Sequence, residues 1–253
     1  MRRPSLTSIA HRGTPISAVA RKFVSVRNCW AATVRARSAV LGGAPQRPRT
    51  REVHMRRIVV SEFVTLDGVM EDPGGSENFS RGGWAFQFER GADGDQYKVD
   101  ELMAADALLL GRRTFEGFAA VWPDQTGDFA DKMNGLPKIV VSSTLEDPAW
   151  SPTTVVRGDV ARELGAMKDG PGGDILVAGS GHLVRTMLAD GLVDELRLMV
   201  FPIVLGTGNR LFPTARRGPR CDSSEARPVG PAGVGGTDLC GAHRPAANGL
   251  STS

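Results

Sequence analysis

The chain has 253 residues with 31 Lys and Arg against 28 Asp and Glu, a net charge of +3, and it is long enough for one large domain or two small ones. The charge is uneven: residues 1–54 hold ten Arg, Lys22 and the single acid Glu52, residues 55–213 hold fifteen basic and twenty-four acidic residues, and residues 214–253 hold five Arg and three acids. The pI near 9.0 therefore belongs to the leading segment, and a nucleic-acid role read from overall charge is excluded for the acidic middle.

Residues 1–54 lack clear apolar periodicity and are expected to be a disordered leader or a mis-assigned start. Three readings stay open: an organellar transit peptide, a basic arm for nucleic acid, or sequence upstream of a working start at Met55. Met55-Arg56-Arg57-Ile58-Val59-Val60 runs directly into a strand, which favours the third. Residues 58–64 are β-branched and close on the Asp67-Gly68 turn. Residues 71–94 read as a long Gly- and Asp-rich loop anchored by Trp84, Phe86 and Phe88. Val99, Leu102 and Met103 recur at helical spacing over residues 95–105. Strands are expected at 107–110, 137–142, 154–157, 175–178 and 195–201, and helices at 113–120, 160–168 and 183–189. This alternation implies βαβ units in one α/β domain, residues 55–213, with a mostly parallel central sheet and helices on both faces.

Residues 214–253 contain seven Gly, four Pro and six Ala, no aromatic, and only Val229, Val234, Leu239 and Leu250 as large aliphatics. Such a tail buries too little apolar surface to offset chain entropy and is expected to be disordered. Cys29, Cys221 and Cys240 all lie outside residues 55–213. That argues against a disulfide framework or a Cys-ligated metal, and for a reducing, cytoplasmic setting. No apolar run approaches the length of a membrane span.

Ligands of open α/β sheets bind beyond the carboxyl ends of the strands. Three strand ends carry suitable chemistry. The first is Leu108-Leu109-Leu110-Gly111-Arg112-Arg113-Thr114. A helix opening there directs free N–H groups and a positive dipole end at its ligand. Two guanidiniums then suit a pyrophosphate or a 2′-phosphate. An ordinary Gly turn with two solvated Arg is the plain alternative. The second is Val140-Val141-Ser142-Ser143-Thr144, whose hydroxyls suit adenosine but are also ordinary turn formers. The third is Val177-Ala178-Gly179-Ser180-Gly181-His182, a Gly-rich turn entering a helix. It is not the Rossmann fingerprint, because Val184 stands where the third Gly belongs.

The order of these motifs resembles the dihydrofolate reductase-like family, in the branch similar to the C-terminal reductase domain of the bifunctional riboflavin-biosynthesis deaminase-reductase. The matching elements are Thr65-Leu66-Asp67-Gly68, Leu110-Gly111-Arg112-Arg113-Thr114-Phe115-Glu116, Val140-Val141-Ser142-Ser143, Ala178-Gly179-Ser180-Gly181, Asp194-Glu195-Leu196 and Pro202-Ile203-Val204-Leu205-Gly206-Thr207-Gly208. The resemblance implies a three-layer fold and an NADPH-dependent reductase. Its hydride would go to a C=N or C=O of a small heterocyclic substrate, as in the riboflavin-pathway 5-amino-6-(5-phosphoribosylamino)uracil reductase or dihydrofolate reductase. Gly111, Arg112, Arg113 and Thr114 would hold phosphates, Ser142 and Ser143 the adenosine end, and Gly179, Ser180 and Gly181 the pyrophosphate. Asp95, sixteen residues before Gly111, is the candidate acid, with helix capping as the alternative. Asp67 matches the turn near the nicotinamide, with an Asp-Gly turn as the alternative. His182 reads as a cap or phosphate neighbour.

Three departures shape the expectation. Gly179-Ser180 replaces the Gly-Gly usual in dihydrofolate reductases. Asp93-Gly94-Asp95-Gln96-Tyr97 is acidic where the riboflavin reductase carries basic residues for a ribose phosphate, so a phosphorylated substrate is not supported. The final antiparallel strand after Phe212 is missing or altered, which would leave a sheet edge unpaired and open to homodimerisation. A non-catalytic dinucleotide-binding or regulatory protein is the alternative function. No metal, nucleic-acid or membrane partner is expected.

Overall fold

The fold is described from a computed structural model covering residues 55–212, 220–229 and 233–243. Strand β1 (Ile58–Thr65) lies centrally, with β5 (Asp174–Ala178) on one side and β6 (Glu195–Phe201) on the other, both parallel to it. Beyond β5 lie β2 (Ala105–Gly111), β3 (Lys138–Val141) and β4 (Thr153–Val156), again all parallel. The carboxyl ends of six strands therefore share one edge. The full order is β4-β3-β2-β5-β1-β6-β8-β7.

Side-chain alternation divides each inner strand between two helical layers. Val60, Val64, Leu109 and Val177 pack against Leu164 of α4 (Val160–Lys168) and Leu183, Val184 and Met187 of α5 (Gly181–Ala189). Val59, Leu108, Leu110 and Leu176 face Leu102 of α1 (Gly91–Ala104), Phe115 of α2 (Arg112–Ala119) and Met133 of α3 (Asp128–Gly135). Leu108, Leu109 and Leu110 are each fully buried, which explains the continuous apolar run: a parallel strand covered on both faces has no polar side. A third cluster, with Trp84 and Phe201 at its centre, closes the end of β1 and β6.

The expected elements form, with three differences. Helix α1 starts at Gly91, four residues early, taking over part of the stretch read as loop. Short 3-10 turns occupy Trp84–Gln87 and Trp122–Asp124, and α3 fills the connection before β3.

The tail needs correction. Strands β7 (Arg220–Val229) and β8 (Val234–His243) form a hairpin there, and β8 pairs antiparallel with β6 from Glu195–Cys240 to Val200–Gly235. The last strand is therefore present, and the β6 edge expected to be open to a second copy is covered. A ladder is built from backbone N–H and C=O groups, so Gly235 and Gly236 pair with Val200 and Met199 although they bring no side chain to the sheet. Val234, fully buried beside Phe201, anchors the strand. The reading of residues 1–54 lies outside the described residues.

Lys138, fully buried at the start of β3, donates to the carbonyls of Asn134 and Ser151 with its ammonium 4.1 Å from the Trp150 ring. Burial pushes its pKa down to about 8 from 10.5. The unfolded chain thus binds more protons across that window, and the folded state gains stability as pH rises from about 8 to 10.5. Lys138→Met should flatten this rise in urea midpoints taken across the window. Leu109→Ala, which removes a side chain packed in the α4–α5 layer, should cost about 2–5 kcal/mol by urea unfolding.

Candidate active site at the strand ends

Two helices open at the shared edge without a side-chain cap, α2 and α5, whereas α4 is capped there by Asp159. Gly111 ends β2 in an extended conformation, and α2 begins at Arg112 without a side-chain cap. Ser180 precedes α5 with φ 63, in the left-handed region, and its hydroxyl does not cap its own helix either. It accepts the Gly111 N–H at 2.9 Å instead. The bond ties the N-terminus of α2 to that of α5, each a partial positive charge of about half an elementary unit. Gly179 has φ +65, and a Cβ there would lie 3.1 Å from Thr114 Cγ2, so the turn rests directly on α2. At Gly181 a Cβ would meet Met70 Sδ at 2.6 Å. Five of the residues singled out in the sequence, Gly111, Thr114, Gly179, Ser180 and Gly181, meet here.

Beside them lies an open cleft of about 470 Å³, lined by Arg112, Val141, Ser142, Ser143, Arg157 and Val160 among others. Arg112 pairs with Glu116 one turn along α2, at 2.9 Å, and both side chains are half exposed. Such a pair is weak and yields readily to a stronger anion. Arg113 is exposed at the second position of α2. Ser142 Oγ accepts the N–H groups of Thr144 and Leu145 at 3.1 and 3.0 Å, so it shapes the turn while its own proton stays available. Arg157, at the end of β4, was not among the sequence candidates. Its signal was present, a cation following a strand's last residue, as at Gly111-Arg112.

The acidic candidates fall elsewhere. Asp67 Oδ1 accepts from the Thr65 hydroxyl at 2.7 Å and from Leu205 N at 3.1 Å, while Oδ2 accepts from Gly206 N at 2.8 Å and Arg210 at 3.2 Å. Desolvation pushes its pKa up, but these four donors outweigh it and hold the carboxyl well below the usual range. Asp67 is thus ionised at neutral pH and clamps the turn after β1 to the turn after β6. It does not offer a proton. Asp95 sits on the surface of α1, half exposed and 2.7 Å from Arg90. His182 is exposed in the first turn of α5.

Two buried polar residues of β1 escaped the sequence reading. Ser61 donates to Glu101 at 2.8 and 2.9 Å, and Lys98 completes that cluster under α1. Glu62 is buried on the opposite face, with its Oε1 lacking any hydrogen-bond partner among the described residues. The signal was a carboxylate inside an otherwise apolar β-branched run.

The clamp's sign is definite: its carboxyl titrates lower when folded, so its stabilisation is present above the unfolded value of 3.8 and is lost as pH falls below it. Asp67→Asn should lower stability by about 2 kcal/mol at neutral pH, and the deficit should shrink on acidification, as read by thermal melts.

Residues 56–232 match the model of the RibD C-terminal domain family. The uncharacterized protein YyaP of Bacillus subtilis strain 168 is 30% identical over 168 residues, covering 64% of this chain and 84% of YyaP. The uncharacterized protein YwjB of the same organism is 27% identical over 157 residues, covering 62% of this chain and 83% of YwjB. A candidate riboflavin biosynthesis protein from Shewanella sp. PV-4 shares the fold with a TM-score of 0.57 at 20% identity, covering 74% of this chain and 99% of that one. Matched over most of its length, with its glycine turns and basic strand ends on one edge of a mostly parallel sheet, the chain belongs to the RibD C-terminal domain family.

Proposed function

We propose that the protein is an NADPH-dependent reductase that passes a hydride to a C=N or C=O bond of a small heterocyclic substrate. The observation that carries this reading is the Gly111–Ser180 bond, which sets two uncapped helix N-termini side by side next to a cleft bearing Arg112 and Arg157. Paired N-termini suit a pyrophosphate, whose two negative groups match two dipole ends. A second basic site nearby suits the extra phosphate that separates NADPH from NADH.

The residues fit the cofactor. Gly111, Thr114, Gly179, Ser180 and Gly181 would hold the pyrophosphate, since the backbone approaches closely where Gly179 leaves no side chain in the way. Arg112, Arg113, Ser142, Ser143 and Arg157 would hold the adenosine end. Bound there, the nicotinamide supplies the hydride. The chain's own work is to orient it and exclude water: Trp84, Phe63 and Phe201 pack edge-on beside the β1 end, and Asp67 fixes the neighbouring turns. The acids at Asp93 and Asp95 favour a substrate without a phosphate. No helix among the described residues is long and apolar enough to cross a membrane, and in this reading the enzyme meets a small molecule in the cytoplasm, alone or as a homodimer.

The ionised, fully engaged Asp67 also favours a second reading, a dinucleotide-binding protein without turnover, because a reductase needs a proton source. Fluorescence titration of NADPH and NADH into the full-length chain tests the cofactor site. Micromolar binding should prefer NADPH, and Arg112→Ala or Arg157→Ala should weaken NADPH by about tenfold while leaving NADH within about twofold. Equal affinities, untouched by either substitution, would sink the assignment. Oxidation of NADPH in a screen of heterocyclic imines and ketones separates enzyme from binding protein.

A further inference from the structure

Strand β1 reads Ile-Val-Val-Ser-Glu-Phe-Val-Thr, and the alternation of a strand sends its two central polar side chains to opposite faces. Ser61 faces α1, where Glu101 and Lys98 answer it. Glu62 lies between Val60 and Val64, on the face covered by α5, and only 4% of it is exposed. The parallel register pairs Ser61 with Ala178, so Gly179, the next residue, comes level with Glu62 just where β5 turns away. The Gly179 N–H lies near the Glu62 carboxyl and favours its charged form. Its Oε1 is buried without a partner among the described residues.

A bare oxygen on an ionised, buried carboxylate is expensive, and protonation is the ordinary escape. Burial accordingly pushes the Glu62 carboxyl well up, with Glu101 adding to the shift and Lys98 and the Gly179 N–H opposing it. An ionised Glu62 would also project its charge into the field of the same two helix N-termini that would receive the cofactor's phosphates. The neutral acid leaves that field to the ligand.

We propose that Glu62 is a positioning residue for the dinucleotide turn: as a neutral acid it supports Gly179 from below, and its ionisation weakens binding of an anionic dinucleotide above. The proposal rests on the cofactor reading of the strand-end site and adds a proton linkage to it. The charged groups that act on Glu62 are Lys98 and Glu101 on α1; α5, which covers its face, carries His182 and Arg185, with Arg185 beside Gly181. Arg197 on β6 is engaged by Glu195. Lys138, which also titrates in the alkaline range, lies on β3, three strands away.

NADPH affinity of the full-length chain is measured from about pH 6 to about pH 9.5, together with the infrared band of protonated carboxyl groups. The dissociation constant should rise by up to about tenfold per pH unit once Glu62 ionises. Glu62→Gln, the neutral isostere, should rescue alkaline binding, whereas Glu62→Ala should weaken binding by about tenfold at every pH by removing the support. The wild-type band should be present at neutral pH, absent in Glu62→Gln, and should fade over the range in which affinity falls. An alkaline loss that survives in Glu62→Gln overturns the proposal, as does a wild-type protein without the band at neutral pH. A folded chain that binds no NADPH at any pH removes the cofactor reading itself. Binding that ignores Glu62 removes only this addition. Should Glu62→Gln not fold, the wild-type band and affinity, followed together through the same titration, still decide.

Discussion

The hydrogen bond from the Gly111 N–H to Ser180 Oγ joins two parallel strands at the point where both give way to helices. In this 2.9 Å bond Ser180, the N-cap residue of α5, turns its hydroxyl away from its own helix while its backbone stays left-handed. For a residue with a Cβ that conformation costs about 1–2 kcal/mol. The surrounding sheet absorbs the cost, since β2 and β5 are paired from Ala105–Asp174 to Leu109–Val177 among fully buried side chains. In return, two helix ends that would each be satisfied by their own cap are left facing the same space. Stability is given up locally and an anion-binding surface appears.

The rest of the edge is organised around that joint. On one side, Gly179 rests on Thr114, and the cleft beside α2 carries the guanidiniums of Arg112 and Arg157. On the other, Asp67 gathers donors from the turns after β1 and β6 and fixes the wall in which Trp84 and Phe201 sit. Beneath it, Glu62 occupies a position where an apolar residue would pack without penalty. Carboxyls in three environments thus behave differently: Asp67, surrounded by donors, stays ionised; Glu62, buried with an oxygen unanswered, is driven towards neutrality; Asp95 is exchanged against Arg90 at the surface. Environment, not residue type, sets their roles.

The antiparallel hairpin shows how a sheet tolerates poor side-chain chemistry at its margin. Strands β7 and β8 contain Gly, Pro and Ser where inner strands contain Val, Ile and Leu. Backbone pairing with β6 proceeds regardless, and Val234 supplies an apolar anchor to the Phe201 cluster. β6 is thereby covered along Glu195–Val200, and the outer margin of the sheet passes to β7.

Much of the edge was legible in the amino-acid order. A strand buried on both faces must be continuously apolar, and the run breaks at Gly111 before the polar Arg112-Arg113; hence Leu108-Leu109-Leu110-Gly111 located both β2 and the start of α2. The alternation of such runs with helical spacing carried the α/β class, and the sequence order of turns carried the family. Four features were settled only by tertiary structure. Ser180 is a strand-to-strand joint because β5 lies beside β2, an adjacency that no local pattern encodes. Arg157 joins the cleft because β4 pairs with β3. Asp67 is a clamp because residues 205–210, remote in the chain, return to it. The final strands exist because hydrogen-bonded pairing draws on backbone groups that every residue but proline carries, so side-chain composition predicts their burial but not their pairing.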